Sequence, residues 1–180
     1  MAATGDNIEK FVIREACEAD LPVLVDFLTK LALHVANSPP QPLKEEARKH
    51  LKDDLAAALV DDDKLIVVAD ILESGVVGMG DISILRNQSV WEQEGEQEFK
   101  SAFIDNCWVE PDYRQLGILS ALLSALIAFA ESQGVQELTL EYAAGNKDAQ
   151  ATWTRLGFKT TGVRAAASTT TVKQKLAKYR

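Results

Sequence analysis

Residues 112–124, DYRQLGILSALLS, place an arginine, a glutamine and a lone glycine between two apolar segments. The apolar spacing that follows predicts a helix beginning near Gly117, whose first N–H groups have no intrahelical partner and whose dipole is positive at that end. Gly117 lets a ligand approach the backbone, while Arg114 and Gln115 add a charge and further donors. The combination suits a pyrophosphate, although one glycine between a strand and a helix is also a common plain turn.

The segments around this junction predict a β-α-β unit. SAFIDNCWV (101–109) has the composition of a strand, and the apolar face of the helix that follows ends at Gly134. QELTLEYA (136–143) is the next predicted strand. Because a helix connects the two strands, we expect them to be parallel neighbours in one sheet.

The remaining segments predict helices and strands in mixed order, with Asp20 and Asn146 as helix N-caps. They are a strand at 11–16, helices at 21–35 and 43–59, a hairpin at 64–72 and 75–85, a polar loop or protruding hairpin at 86–100, a helix at 146–158 and closing strands within 159–176. The order β-α-α-β-β-β-α-β-α-β-β predicts an α/β protein with a mixed sheet covered by helices.

Composition and charge narrow the class of protein. The 180 residues favour one domain, and the net charge of -8 argues against non-specific nucleic-acid binding. The N-terminus has no apolar core and no apolar run approaches the ~20 residues of a membrane span, so neither a signal peptide nor membrane association is expected. Two distant cysteines, Cys17 and Cys107, indicate a reducing compartment, and the cytoplasm is the predicted location. His34 and His50 have no ligand partners at metal-binding spacing, so no metal site is expected.

The segment VEPDYRQLGILSALL resembles the acetyl-CoA-binding signature of the GNAT superfamily of N-acetyltransferases, V-x-P-x-Y-R-x-x-G-x-G/A. The matching residues are Val109, Pro111, Tyr113, Arg114 and Gly117. Leu119 stands where the family usually has a second small residue.

A second segment, NKDAQATWTRLGF (146–158), is similar to the downstream element of the same family, N-x-x-A-x-x-x-Y-x-x-x-G-F. Asn146, Ala149, Gly157 and Phe158 match, and Trp153 stands at the tyrosine position. The resemblance in element order covers roughly residues 11–165 and implies a single GNAT-like domain over residues 8–176. It also implies that the mixed sheet is splayed between the strands at 103–109 and 137–142.

The resemblance implies acetyl-CoA as cosubstrate and assigns the residues that bind it. The main chain of Cys107, Trp108 and Val109 would hold the pantetheine arm and the acetyl carbonyl. The pyrophosphate would be wrapped by Arg114, Gln115, Leu116, Gly117, Ile118, Leu119 and Ser120. Asn146 would hydrogen-bond the cofactor, and Trp153 would lie beside its thiol.

The implied reaction is acetyl transfer to a primary amine by direct attack in a ternary complex. By resemblance, Asp105 takes the ammonium proton and the amide of Val109 stabilises the oxyanion. Asp81 and Glu141 are competing carboxylates, and Asp105 could instead only orient a turn.

The acceptor and the assembly are less defined by the sequence. The acidic excess lies in residues 1–100, the half that faces the acceptor in this family, which favours a small cationic amine. A non-catalytic or weakly catalytic acyl-CoA-binding regulatory module is the alternative. Many relatives dimerise, so a homodimer is an assembly to test. A nucleotide-binding α/β protein is disfavoured, since neither a Walker motif nor a three-glycine fingerprint is present.

Overall fold

The computed structural model describes residues 11–39, 41–86, 100–162 and 165–179. Most of the polar segment 86–100, predicted as a loop or hairpin, therefore lies outside the described residues. The strands are β1 (Phe11–Glu15), β2 (Lys64–Ile71), β3 (Gly75–Arg86), β4 (Lys100–Val109) and β5 (Glu137–Leu140). The helices are α1 (Leu21–Val35), α2 (Glu45–Ala58), α3 (Ile118–Ser132), α4 (Lys147–Arg155) and α5 (Thr169–Leu176).

The five strands form one mixed sheet in the order β1-β2-β3-β4-β5. The first three pairings are antiparallel, and β4 pairs with β5 in parallel across α3, as the sequence predicts. The parallel pairing begins at Ser101 opposite Glu137 and ends at Ile104 opposite Leu140. Because β4 continues to Val109, its last five residues have no partner on β5, whereas Phe103 and Ile104, which lie within the predicted splay, are still paired.

Helices cover both faces of this sheet. Met79 and Trp108 belong to a core cluster with Leu24 and Phe27 of α1, and α2 contributes Leu55. The neighbouring residue Gly80 faces the opposite side, toward α3. Burial on both faces explains why the β2 run Ile66, Val67, Val68 and Ala69 is apolar at four consecutive positions.

Two glycines in β3 let α3 approach the sheet. A Cβ on Gly78 would stand 3.0 Å from the main-chain oxygen of Trp108 and 3.4 Å from the Ile118 side chain. A Cβ on Gly80 would stand 3.2 Å from Leu126 Cδ1. Since Ile118 is the first residue of α3, Gly78 helps to set where that helix begins relative to the end of β4.

An ion-pair network joins β1, β2 and the start of α1. The Arg14 guanidinium donates to both carboxylate oxygens of Asp20, at 2.7 and 2.9 Å, and to Asp70 at 2.9 Å. Asp20 also accepts the main-chain N–H of Cys17 at 2.9 Å. The predicted N-cap role of Asp20 is therefore wrong: Arg14 and Cys17 engage its carboxylate, which makes no capping bond to α1.

The chain divides into two compact units, residues 1–141 and residues 142–180. In the second unit Asn146 caps α4 as predicted, since its side chain accepts the N–H of Ala149 at 3.0 Å. The predicted closing strands within 159–176 are wrong, because Thr169–Leu176 form helix α5. The threonines favour a strand, but Ser168 caps a helix by accepting the N–H of Thr171, and lysines occupy the last turn.

Within the described residues, no helix is long and apolar enough to cross a membrane. Cys17 and Cys107 are both free thiols.

Candidate active site

The centre of the candidate site is a β-bulge where β3 meets β4. Gly80 pairs with Cys107, but Ile82 pairs with Ile104, so two residues of β4 oppose Asp81 alone. Those two residues are Asp105 and Asn106. The bulge lies where β4 passes the end of its pairing with β5, so the carboxylates adjoin the part of β4 that is not paired with β5.

Asn106 holds the carboxylate of Asp81 in place. Its main-chain N–H donates to Oδ1 at 3.1 Å, and its side-chain Nδ2 donates to Oδ2 at 2.8 Å. Burial raises the pKa of Asp81 to about 6; the charge of Asp105 adds to the rise, and the bonds from Asn106 oppose it. With this pKa, Asp81 loses its proton near pH 6.

Asp105, the predicted base, lies on the same bulge but is exposed. The next residue, Cys107, has the pKa of its thiol raised to about 12 by burial, with smaller effects from Asp81 and Asp105. A thiol that stays protonated is a poor nucleophile, which agrees with direct attack by an acceptor amine.

A pocket of about 190 Å³ opens between the first two helices and this part of the sheet. Leu28, Leu51 and Leu55 line its helical side, and Asp81, Asp105 and Asn106 line its sheet side. The two carboxylates of the bulge therefore face one space, which the charged residues Asp54 and Lys64 also line.

The predicted phosphate loop contains two residues with positive φ. Gln115 has φ +65°, and Gly117 has φ +83° as the N-cap of α3. No atom outside its own chain neighbourhood lies within 4 Å of a Cβ built on Gly117. The first turn of α3 ends at Ala121, whose N–H donates to the Gly117 oxygen at 3.1 Å, so the amides of Ile118, Leu119 and Ser120 precede the helical ladder. Gln115 and Leu116 are exposed beside them.

Arg114 packs back onto the end of β4. Its Nε donates to the Val109 oxygen at 3.0 Å, and its guanidinium lies 5.1 Å from the centre of the Trp108 ring. The Trp108 indole is buried against α1, and its Nε1 has no hydrogen-bond partner among the described residues. Lys30 of α1 forms an ion pair with Glu110, which fixes the start of the loop.

The predicted cofactor residues fall into both units. Those from Cys107 to Ser120 lie in the first unit, as do the carboxylates Asp81, Asp105 and Glu141. Asn146 and Trp153 lie in the second unit, where the Trp153 ring packs edge-on against Phe158 with centroids 5.6 Å apart. Their roles toward the cofactor stay predictions.

The sequence did not predict Asn106 as the hydrogen-bond partner of Asp81. It also did not predict that Gly78 and Gly80 of β3 are positions of close packing. The alternating glycines in GVVGMGDI were the available signal for close packing in β3. No sequence signal locates the bulge, since the register of β3 against β4 is a long-range property. The described residues contain no cluster of three or more metal-ligating side chains.

Comparison with known proteins agrees with this architecture. The acetyltransferase (GNAT) family model matches residues 30–158, which is more than half of the chain. No curated protein matches the chain significantly in sequence. The chain belongs to the GNAT acetyltransferase family.

Solved structures share the fold at low sequence identity. A transcriptional regulator from Bacillus halodurans C-125 superposes with a TM-score of 0.71 at 21% identity, covering 88% of this chain and 99% of that one. The aminoglycoside antibiotic 6'-N-acetyltransferase AAC(6')-Ih from Acinetobacter baumannii gives 0.68 at 20%, covering 88% and 97%. A predicted acetyltransferase from Clostridium acetobutylicum, solved with acetyl-CoA, gives 0.71 at 16%, covering 88% and 96%.

Proposed function

We propose that this protein transfers an acetyl group from acetyl-CoA to a primary amine by direct attack in a ternary complex. The observation that carries the proposal is the edge of β4 beyond Ile104, which has no strand partner on its β5 side within the described parts of the chain and leads directly into the loop at the head of α3. An extended pantetheine arm can pair with that edge at Cys107, Trp108 and Val109. Its pyrophosphate then meets the first amides of α3.

The chemistry needs a proton acceptor, an oxyanion donor and a leaving thiolate. The amide of Val109 is the proposed oxyanion donor, and a carboxylate at the β3–β4 bulge takes the ammonium proton, with Asp105 predicted from the sequence. Asn146 and Trp153 of the second unit are proposed to contact the cofactor.

The proposed acceptor is a small cationic amine. The net charge of -8 and the carboxylates in the pocket support this choice, since both attract cations. One structural neighbour is an N-acetyltransferase of aminoglycosides, which are themselves cationic amines. Neither nucleic acid nor a membrane is a proposed partner, and the cytoplasm and a homodimer stay predictions.

A second candidate is an acyl-CoA-binding regulatory module with little or no turnover. The observation that favours it is Trp153 at the position of the family tyrosine, because an indole N–H cannot deliver a proton as a phenol does. A neighbour described as a transcriptional regulator is compatible with this role.

The first test is thermal unfolding with saturating acetyl-CoA, with ATP and NAD as controls. A ligand at 100 times its Kd adds roughly 2.7 kcal/mol, which raises the Tm by about 5–10 °C for a domain of this size. A rise with acetyl-CoA alone supports the cofactor assignment, and no rise contradicts it. Release of the CoA thiol with a panel of primary amines then separates the enzyme from the binding module.

A further inference from the structure

The two carboxylates of the bulge differ in how firmly they are held. Asp105 is exposed, and no hydrogen bond to another described residue is seen to fix its carboxylate. The Asp81 carboxylate is half-buried, with both oxygens fixed by Asn106 at 3.1 and 2.8 Å. A group that exchanges a proton with a reacting amine must be held in position, because misplacement by about 1 Å costs a large part of the rate.

We propose that Asp81 is the catalytic base, in place of Asp105, and that the pocket above the bulge receives the alkyl-ammonium end of the acceptor. This inference rests on the proposed acetyl transfer. Asn106 is then a positioning residue, which acts on the acceptor only through Asp81.

The walls of the pocket define the class of acceptor. Leu28, Leu51 and Leu55 supply an apolar side that suits methylene groups, opposite the two carboxylates. A primary alkylamine satisfies both sides at once, whereas an acidic peptide would bring like charges together.

The charged groups around Asp81 decide when it accepts a proton. Asp105 from β4, Asp54 from α2 and Lys64 from β2 line the pocket. The Lys64 Nζ lies 3.7 Å from Oδ2 of Asp61. The neighbouring Cys107 is neutral near pH 7. With a pKa of about 6, Asp81 is ionised at pH 7 and is a stronger base than an ordinary carboxylate.

The proton and electron balance is complete without a further reagent. Asp81 takes one proton from the ammonium through intervening water, because Val109 pairs with Gly78, three residues along β3 from Asp81. Asp81 releases this proton to solvent later. The amine lone pair forms the C–N bond at the acetyl carbonyl as the C–S bond breaks. The second nitrogen proton leaves as the amide forms and ends on the CoA thiolate.

The test measures thiol release by the full chain with acetyl-CoA and two probe amines, n-butylamine and 1,4-diaminobutane, between pH 5 and pH 8. Asp81→Asn should lower kcat at least about 100-fold and remove the acidic limb of the pH profile near pH 6, with the Kd for acetyl-CoA unchanged.

Asp105→Asn should lower kcat less than about tenfold and move the limb to lower pH, because the charge of Asp105 raises the pKa of Asp81. Asp53→Asn, on the exposed side of α2, is the control that should match the wild type. A larger loss in Asp105→Asn than in Asp81→Asn overturns the proposal.

A titration of the wild-type protein keeps the test independent of turnover and of how well the variants fold. Carbon-13 NMR of the aspartate carboxyls, assigned in the wild-type protein by through-bond correlation to the Asp81 backbone, should show Asp81 titrating near pH 6 and responding to n-butylammonium. Titration below pH 5 without such a response overturns the role of Asp81. If acetyl-CoA binds but no amine causes release of its thiol, acetyl transfer is contradicted. The NMR titration would then still show whether the pocket beside Asp81 binds an alkylammonium ion.

Asn106→Ala tests the positioning role through the pH at which the acidic limb of kcat falls, which a purely structural role would leave unchanged. Alanine keeps the main-chain N–H bond to Asp81 but loses the Nδ2 bond. Because the Nδ2 bond lowers the pKa of Asp81, its loss should shift the acidic limb to higher pH. An unshifted limb contradicts the role of Asn106.

Discussion

At the scale of single residues, Gly117 combines two features that the proposed phosphate loop needs. Its φ of +83° turns the chain into α3, and the space where a Cβ would stand is open. A larger L-residue is strained at this φ, and its side chain would enter the space proposed for the pyrophosphate.

Gly117→Glu should weaken acetyl-CoA binding at least about 100-fold, because a carboxylate would stand at the proposed anion site. Isothermal titration calorimetry measures the Kd directly. Gly134→Glu is the matched control, since Gly134 also has a positive φ (+74°) and open space around its Cβ position, but lies beyond the other end of α3. Equal affinities for the two variants would rule out the phosphate-loop assignment.

At the scale of elements, Gly78 and Gly80 of β3 lie at close contacts with the neighbouring strand β4 and with α3. The Cβ contacts at Gly78 and Gly80 differ in kind: the closest atom is main-chain oxygen at Gly78 and the end of a leucine side chain at Gly80. A leucine methyl can move by a few tenths of an ångström, whereas the main chain of a central strand cannot do so without disturbing its pairing.

Gly78→Ala should therefore destabilise the protein by about 1–3 kcal/mol, as expected for overpacking. Gly80→Ala should change stability by less than about 1 kcal/mol, because the alanine also restricts the unfolded chain. Urea unfolding measures both, and the opposite ranking would show that the Trp108 main chain yields to a new Cβ more easily than the Leu126 side chain does.

Most of the helices and strands could be predicted from the sequence. The strands and helices up to β5 follow from apolar periodicity and turn residues, which are local properties. The closing strands were wrong because the β-propensity of Thr169–Thr171 is weaker information than the Ser168 cap that begins α5. Asp81 and Asn106 are 25 residues apart in sequence and meet only because of the bulge between β3 and β4, which no local pattern encodes.

At the scale of the whole molecule, two carboxylates give stability opposite dependences on pH. Arg14 holds the pKa of Asp20 down at about 2, below the ordinary 3.8, so the stability that Asp20 contributes is present above pH 4 and is lost as pH falls toward 2. Burial raises the pKa of Asp81 to about 6, so its ionisation costs stability as pH rises from 4 to 6.

We expect the free energy of unfolding to depend on Asp20 between pH 2 and 4 and on Asp81 between pH 4 and 6, by about 2 kcal/mol in each window. Urea unfolding of Asp20→Asn should lose the first dependence, and Asp81→Asn should lose the second. Asp61→Asn, at an exposed position, is the control that should keep both. Wild-type slopes in either variant would contradict the corresponding assignment.

The sequence by itself determined the family, the β-α-β unit and the loop at the head of α3, because these depend on residue types at short, fixed spacing. Only the tertiary structure decided that the pairing of β4 with β5 ends at Ile104, that Asp20 binds Arg14 in place of capping α1, and that Asp81 and Asp105 share one pocket. Those features arise from strand register and from burial between distant segments. Such properties exist only once the chain has packed.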